Sequence, residues 1–342
     1  MIENKEKSRN PQKVPISVNL RVNTECNYRC RFCFGKHKRL KTTPNDSRIL
    51  EIPGLLADAG CEKLTFEGGE PLLHLCINDL VKTAKSAGLR TGLITNGSRM
   101  TFRQLCELKD HLDIITISVD SPYERVEKCL GRGFGNHIKN AVQISEWAYG
   151  LGIELKVNSV VTKLNWKDDL TALLRIMRPQ HYKALQVLPA KGENDKWFER
   201  LRITKQQFNT FVKRHRVLES EGIRILAENN DDMTDSYIMM LPDGRFFDYH
   251  GGRYNYSTKS IFDIGVRNAF GTYRWDYQKF CRRDALYFKE KSEHRSGEVI
   301  STGKSKMSSK SASRIQSHAD KTRTNQGFKA RAQAAAAKNS NK

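Results

Sequence analysis

From residue 16 to 188 the chain alternates short apolar runs with longer segments whose apolar positions recur at helical spacing. The runs ISVNLRV (16–22), KLTF (63–66), TGLIT (91–95), IITISV (114–119), ELKVNSVV (154–161) and ALQVL (184–188) predict strands. Helices are predicted between them near 45–59, 75–87, 101–109, 136–150 and 168–177. Strands separated by segments of that length form β/α units, because a parallel pair needs a crossover long enough to hold a helix. The pattern changes after residue 190. A helix is predicted over 204–220, ending near Glu221-Gly222. Strands follow at IRIL (223–226), YIMML (237–241) and RFFDY (245–249), with Pro242-Asp243-Gly244 turning between the last two.

Chemistry gathers just after the predicted strands. The first is followed by CNYRCRFC, whose Cys26, Cys30 and Cys33 are spaced by three and two intervening residues. Three thiolates can hold three corners of a cubane and leave its fourth iron open to a cofactor. A zinc knuckle with His37 as fourth ligand is the alternative, since structural zinc takes four protein ligands. It leaves Gly68-Gly69-Glu70-Pro71, after the second strand, unexplained. Thr95-Asn96-Gly97 follows the third strand and Asp120-Ser121 the fourth. Motifs at the same end of successive strands are what a barrel with a site on its βα loops would show.

The cysteine triplet with GGEP resembles the radical S-adenosylmethionine enzymes. The ordered set CNYRCRFCF, FEGGEP, ITNGS, SVDS, GRG, KVNSVV, KGEN, DSY and KSIFDIGV is similar to the viperin family, including its prokaryotic members, over about residues 14–288. That resemblance implies an α/β fold: a partial (β/α)6 radical-SAM barrel over 14–189, after a flexible N-terminus (1–13). A C-terminal α/β extension over 190–289 would pack over the open barrel and cover the substrate. A doubly wound sheet remains the alternative from periodicity alone.

The resemblance further implies a [4Fe-4S] cluster on Cys26, Cys30 and Cys33, S-adenosylmethionine as cosubstrate, and an external one-electron reductant delivered by an electron-donor protein. The reaction would convert a ribonucleoside triphosphate (CTP, UTP or GTP) to its 3′-deoxy-3′,4′-didehydro analogue through abstraction of the C4′ hydrogen. Such a product terminates RNA chains, which in a prokaryotic cell would be antiviral defence. Gly68 and Gly69 would let the backbone approach the cofactor, Glu70 would meet its amine, and Pro71 would stiffen the turn. Asn96 and Ser118 are cofactor contacts or loop-ordering residues.

For the substrate, Lys38, Arg132, Lys156 and Asn158 match basic or amide positions of the family, and a triphosphate needs several such donors. Lys156 and Asn158 share one face of their strand. Glu193 and Asn194 sit in a candidate nucleotide-facing loop, and Arg253 is a further phosphate candidate, although Tyr254 beside it departs from the more basic family pattern. FGKHKR after the cysteines likewise departs from the vertebrate form. Each of these charges also reads as an ordinary solvated side chain. Tyr237 matches the tyrosine of the family's DSY and is the candidate late hydrogen donor; the plainer reading is a core aromatic.

Composition narrows the field. The eight cysteines of 342 residues are too few and too dispersed for a secreted disulfide framework. No run is apolar enough to span a membrane and the polar start lacks a signal-peptide core, so a cytoplasmic location with no stable membrane association is expected. The net charge is +21, of which residues 301–342 supply +9. The Ser-, Lys-, Gly- and Ala-rich segment 290–342 predicts a basic disordered tail, whose charge fits nonspecific contact with nucleic acid or simple solvation. A molybdenum-cofactor-type cyclase with a second cluster is the enzymatic rival, but only Cys281 remains after Cys129. A different radical-SAM enzyme acting on a nucleotide is a second rival, and a basic nucleic-acid-binding metalloprotein is a third, from a different class.

Overall fold

The computed structural model describes residues 16–36 and 47–280. Among the described residues ten strands form one sheet: β1 (Ser17–Arg21), β2 (Lys63–Glu67), β3 (Arg90–Thr95), β4 (Ile114–Ser118), β5 (Glu154–Val161), β6 (His181–Gln186), β7 (Arg224–Glu228), β8 (Met239–Met240), β9 (Arg245–His250) and β10 (Arg253–Ser260). Their order is β10-β9-β8-β1-β2-β3-β4-β5-β6-β7. Neighbours from β8 through β1 to β7 pair in parallel, and β9 and β10 are antiparallel additions. The sheet is an incomplete barrel, open between β7 and β10, with the crossover helices on its outer face. Among them are α1 (Ile52–Asp58), α2 (Ile77–Ser86), α3 (Phe102–Leu108), α4 (Glu124–Leu130), α5 (His137–Leu151) and α6 (Thr171–Met177).

The extension differs from the expectation of a layer packed over the barrel. Its strands continue the sheet instead, β7 beyond β6 and β8 beside β1. Its helices are α7 (Asp195–Leu201), α8 (Lys205–His215), α9 (Asn230–Met233), α10 (Ile261–Ile264) and α11 (Val266–Gly271). Thr204 and Gln207 cap the start of α8 reciprocally, satisfying two of its otherwise unpaired N–H groups. The predicted tail, the N-terminal segment, His37, Lys38 and Cys281 lie outside the described residues. Among the described residues no helix is long and apolar enough to cross a membrane.

Strand alternation divides the two faces. Val18 and Leu20, Leu64 and Phe66, Ile115 and Ile117, Leu155 and Val157, Tyr182 and Ala184 are buried in the main hydrophobic core, where each large apolar side chain contributes about 1.5–3 kcal/mol. The residues between them face the lumen: Ser17, Asn19 and Arg21; Thr65 and Glu67; Thr116 and Ser118; Lys156 and Asn158; His181 and Lys183. A closed barrel fills its interior with branched apolar side chains. This lumen instead sets charged and hydrogen-bonding groups among apolar ones such as Ile94, Ile114, Val160, Leu185 and Met239, so it can hold a ligand that is polar at particular points.

Candidate active site

The cysteine loop leaves β1 at Arg21, whose buried guanidinium gathers three segments. It bonds Glu67 Oε1 at 3.0 Å, the Gly68 carbonyl at 2.7 Å and the Gly35 carbonyl at 3.0 Å. The loop after β2 lies against it: Gly69 N donates to the Asn23 carbonyl at 3.0 Å and Glu70 N to that of Glu25 at 2.6 Å. A Cβ on Gly69 would overlap the Glu25 carbonyl, and one on Gly68 would come within 2.6 Å of Asn23 Oδ1. Both glycines are therefore required by loop-on-loop contact as well as by any approach to a cofactor. On the other flank, Arg29 N and Arg31 N donate to the Gly131 and Leu130 carbonyls at the end of α4, at 3.1 and 2.8 Å. Asn194 Nδ2 then ties the Phe32 carbonyl to that of Leu188, at 3.0 and 2.8 Å.

Held this way, Cys26, Cys30 and Cys33 line the rim of a cavity of about 260 Å³ that continues into the lumen. All three are free thiols. Burial raises the pKa of Cys26 and pushes that of Cys30 up to about 12, so ligation there would release protons. The soft donor set fits an iron–sulfur cluster. Among the described residues no three His, Cys, Asp or Glu side chains converge to hold a single ion. A cubane presents a separate iron to each thiolate and needs no such convergence.

Gly68, Gly69 and Glu70 reach the cavity wall, whereas Pro71 does not; it is buried at the start of a short 3-10 turn. Glu70 accepts from Thr95 Oγ1 at 2.5 Å, Asn96 N at 2.8 Å and Leu72 N at 3.1 Å. Burial raises its pKa against these donors. Its carboxyl thus already orders the β3 loop, a task the amine-binding expectation did not include. Asn96 follows in the same cavity, with Nδ2 on Asn27 Oδ1 at 3.0 Å. Ser118 also lines it, and its carbonyl accepts from His137 Nε2 at 2.7 Å, with the neutral ring carrying its proton on Nε2.

Arg132 reaches the cavity with its Nε committed to Asp120 Oδ2 at 2.6 Å and Glu127 Oε2 at 3.7 Å. Both acids are fully buried. Burial and the Asp120 carboxylate push Glu127 up to about 8. Burial, then the charge of Arg132, depress His137 to about 3. A histidine whose folded pKa lies below its unfolded value stabilises the fold above about 6.5, and that stability is lost as pH falls toward 3. By pH 4.5 the loss should reach about 2–3 kcal/mol. The difference between wild type and His137→Gln in urea unfolding should therefore shrink from pH 7.5 to 4.5; a difference independent of pH would refute the assignment.

Deeper in the lumen the structure brings together Lys156, Asn158, His181, Lys183 and Tyr237. Lys156 pairs with His181, and Asn158 with Lys183, in the β5–β6 register. Asn158 Oδ1 is buried with no hydrogen-bond partner among the described residues. Sequence reasoning missed His181 and Lys183, although HYKALQ alternates polar with apolar as its neighbours do. Their strand begins three residues before the apolar run that marked it. Glu193, Asn194 and Arg253 are not brought to the cavity wall. Glu193 and Asn194 are buried behind it, Asn194 as the loop tie described above, and Arg253 is exposed at the start of β10. Tyr237 lies in the segment leading to β8, not inside a strand as predicted.

An open parallel barrel with a three-cysteine rim at the C-terminal ends of its strands is the architecture of the radical-SAM enzymes. The chain matches the Radical SAM superfamily over residues 20–175. The structure of Streptococcus suis SuiB bound to S-adenosylmethionine superposes with a TM-score of 0.60 at 14% identity, covering 78% of this chain and 67% of that one; at that identity the likeness speaks for the fold. Within the superfamily, an S-adenosylmethionine-dependent nucleotide dehydratase from Flammeovirga pacifica is 37% identical over 79% of this chain and 95% of its own length. Another from Lacinutrix mariniflava is 38% identical over 84% of this chain, which spans 61% of that relative. The chain belongs to the family of S-adenosylmethionine-dependent nucleotide dehydratases, the viperin-like group its motifs resemble.

Proposed function

We propose that this chain dehydrates a ribonucleoside triphosphate (CTP, UTP or GTP) to the 3′-deoxy-3′,4′-didehydro nucleotide, a chain terminator acting in antiviral defence in the cytoplasm. The observation that carries this reading is the continuous cavity in which the cysteine rim opens onto Lys156, Asn158, His181 and Lys183. A [4Fe-4S] cluster on Cys26, Cys30 and Cys33, with S-adenosylmethionine and a one-electron donor protein, would supply the radical that takes the C4′ hydrogen.

The protein's own part is placement. Gly68, Gly69, Asn96 and Ser118 shape the cofactor side of the cavity. Lys156 offers charge to a phosphate, and the unpartnered Asn158 Oδ1 is an acceptor suited to a ribose hydroxyl. Tyr237, at the far wall, is the candidate source of the last electron. Lys38 and Arg253 are phosphate contacts on motif grounds alone. Anaerobic reconstituted enzyme, given each triphosphate separately, should form 5′-deoxyadenosine in a nucleotide-dependent way, with a nucleotide lighter by one water. Cofactor cleavage without that nucleotide would send the search to another radical substrate.

A further inference from the structure

Three side chains meet across the open lumen in an arrangement the cysteine rim does not require. Lys183 stands on β6, Glu228 is the last residue of β7, and Tyr237 precedes β8. In sheet order β8 lies beyond β1, on the opposite side of the barrel from β6 and β7. Lys183 Nζ donates to the Tyr237 hydroxyl at 2.6 Å, and that hydroxyl donates to Glu228 Oε2. Lys183 is also ion-paired with Glu228 Oε1, the two side chains being 4% and 8% exposed. The main chain is fixed as well, since the Tyr273 hydroxyl donates to the Tyr237 carbonyl at 2.9 Å. Tyr237 and Lys183 are on the cavity wall, while Glu228 stands behind them.

We infer that Glu228 is a positioning residue for Tyr237, fixing the direction of its O–H and taking its proton when the phenol is oxidised; this rests on the dehydratase reading above. The phenol O–H points at Glu228, away from the lumen, so the phenol cannot hand its electron and proton together to the departing 3′-hydroxyl without breaking this bond. Separate routes for electron and proton avoid that. The electron leaves Tyr237 for the C4′ nucleotide radical, the C3′–O bond breaks, and the departing hydroxide takes a solvent proton to become water. As the phenol O–H bond breaks, its proton moves to the Glu228 carboxylate, leaving a neutral phenoxyl radical. The one-electron reductant then returns an electron and Glu228 the proton, restoring the phenol. Lys183 keeps the buried carboxylate charged and ready to accept, because an unpaired buried carboxylate is strongly disfavoured.

The test is an anaerobic single turnover of the reconstituted full chain with its preferred triphosphate, comparing wild type, Glu228→Gln, Glu228→Asp and Tyr237→Phe. If wild type makes no dehydrated nucleotide, the function reading itself fails, whatever Glu228 does. Given product, Glu228→Gln should keep 5′-deoxyadenosine within about threefold while product per 5′-deoxyadenosine falls about tenfold or more. Glu228→Asp, which keeps the carboxylate, should recover part of that ratio. An unchanged ratio, or equal loss of both quantities, overturns the inference. A readout independent of the cluster is the fluorine resonance of protein carrying 3-fluorotyrosine, assigned by its absence in Tyr237→Phe. It should shift in Glu228→Gln, and a stationary resonance overturns the inference equally.

Discussion

Cys30→Ala is expected to reduce S-adenosylmethionine cleavage at least about a thousandfold while leaving the fold intact. The loop around Cys30 is held by main-chain bonds from Arg29 and Arg31 to the end of α4, and by Arg21 gripping the Gly35 carbonyl. None of these uses the thiol, so its removal would deprive a cluster held there of one ligand without loosening the loop. The contrast is Cys61, a buried member of the hydrophobic core. Its truncation should cost about 1–2 kcal/mol of stability and no iron. Iron per chain after anaerobic reconstitution, together with urea unfolding of the metal-free proteins, separates the two. A Cys30→Ala protein that retains its iron would show that the three thiols are not the ligands.

The two substitutions also mark what the sequence could and could not reveal. The cysteines, the glycine pair and Asn96 reach one cavity because each follows a strand of the same parallel sheet, an arrangement the alternating pattern already predicts. The strands themselves were located by their apolar halves, which face the helices. Where the lumen-facing half begins the strand, as His181 and Lys183 do, it was lost. β10, RYNYSTKS, has no continuous apolar half and went unseen for the same reason. α4 and α7 are short and charged, so their helical spacing carried little signal. Asn194 matched a nucleotide-facing motif, yet it bonds the Phe32 carbonyl, 162 positions away in the chain. Contacts of that range are set by topology, and no local pattern encodes them.

Arg132 gives the sharpest case, because one side chain has two readings with different measurable consequences. Motif order makes it a phosphate donor, whereas the structure buries it against Asp120 and Glu127. Burial opposes its charge most strongly, but Asp120, Cys30 and Glu127 together outweigh that and raise its pKa. The pair is anchored further: Asp120 Oδ1 accepts from Val160 N at 2.8 Å, and Glu127 Oε1 from Asp120 N and Ser121 N at 2.6 and 3.0 Å. Removing only the arginine would strand a buried carboxylate between β4 and β5. Arg132→Met should therefore cost about 3–5 kcal/mol, a fall in melting temperature on the order of 10 °C. Adding Asp120→Asn and Glu127→Gln should recover much of this, since the cost comes from an uncompensated charge more than from a lost attraction. Both effects belong to the metal-free protein and need no nucleotide. If Arg132→Met melts with wild type and loses only triphosphate affinity, the ion pair contributes nothing to the fold and the arginine's work is done in the cavity.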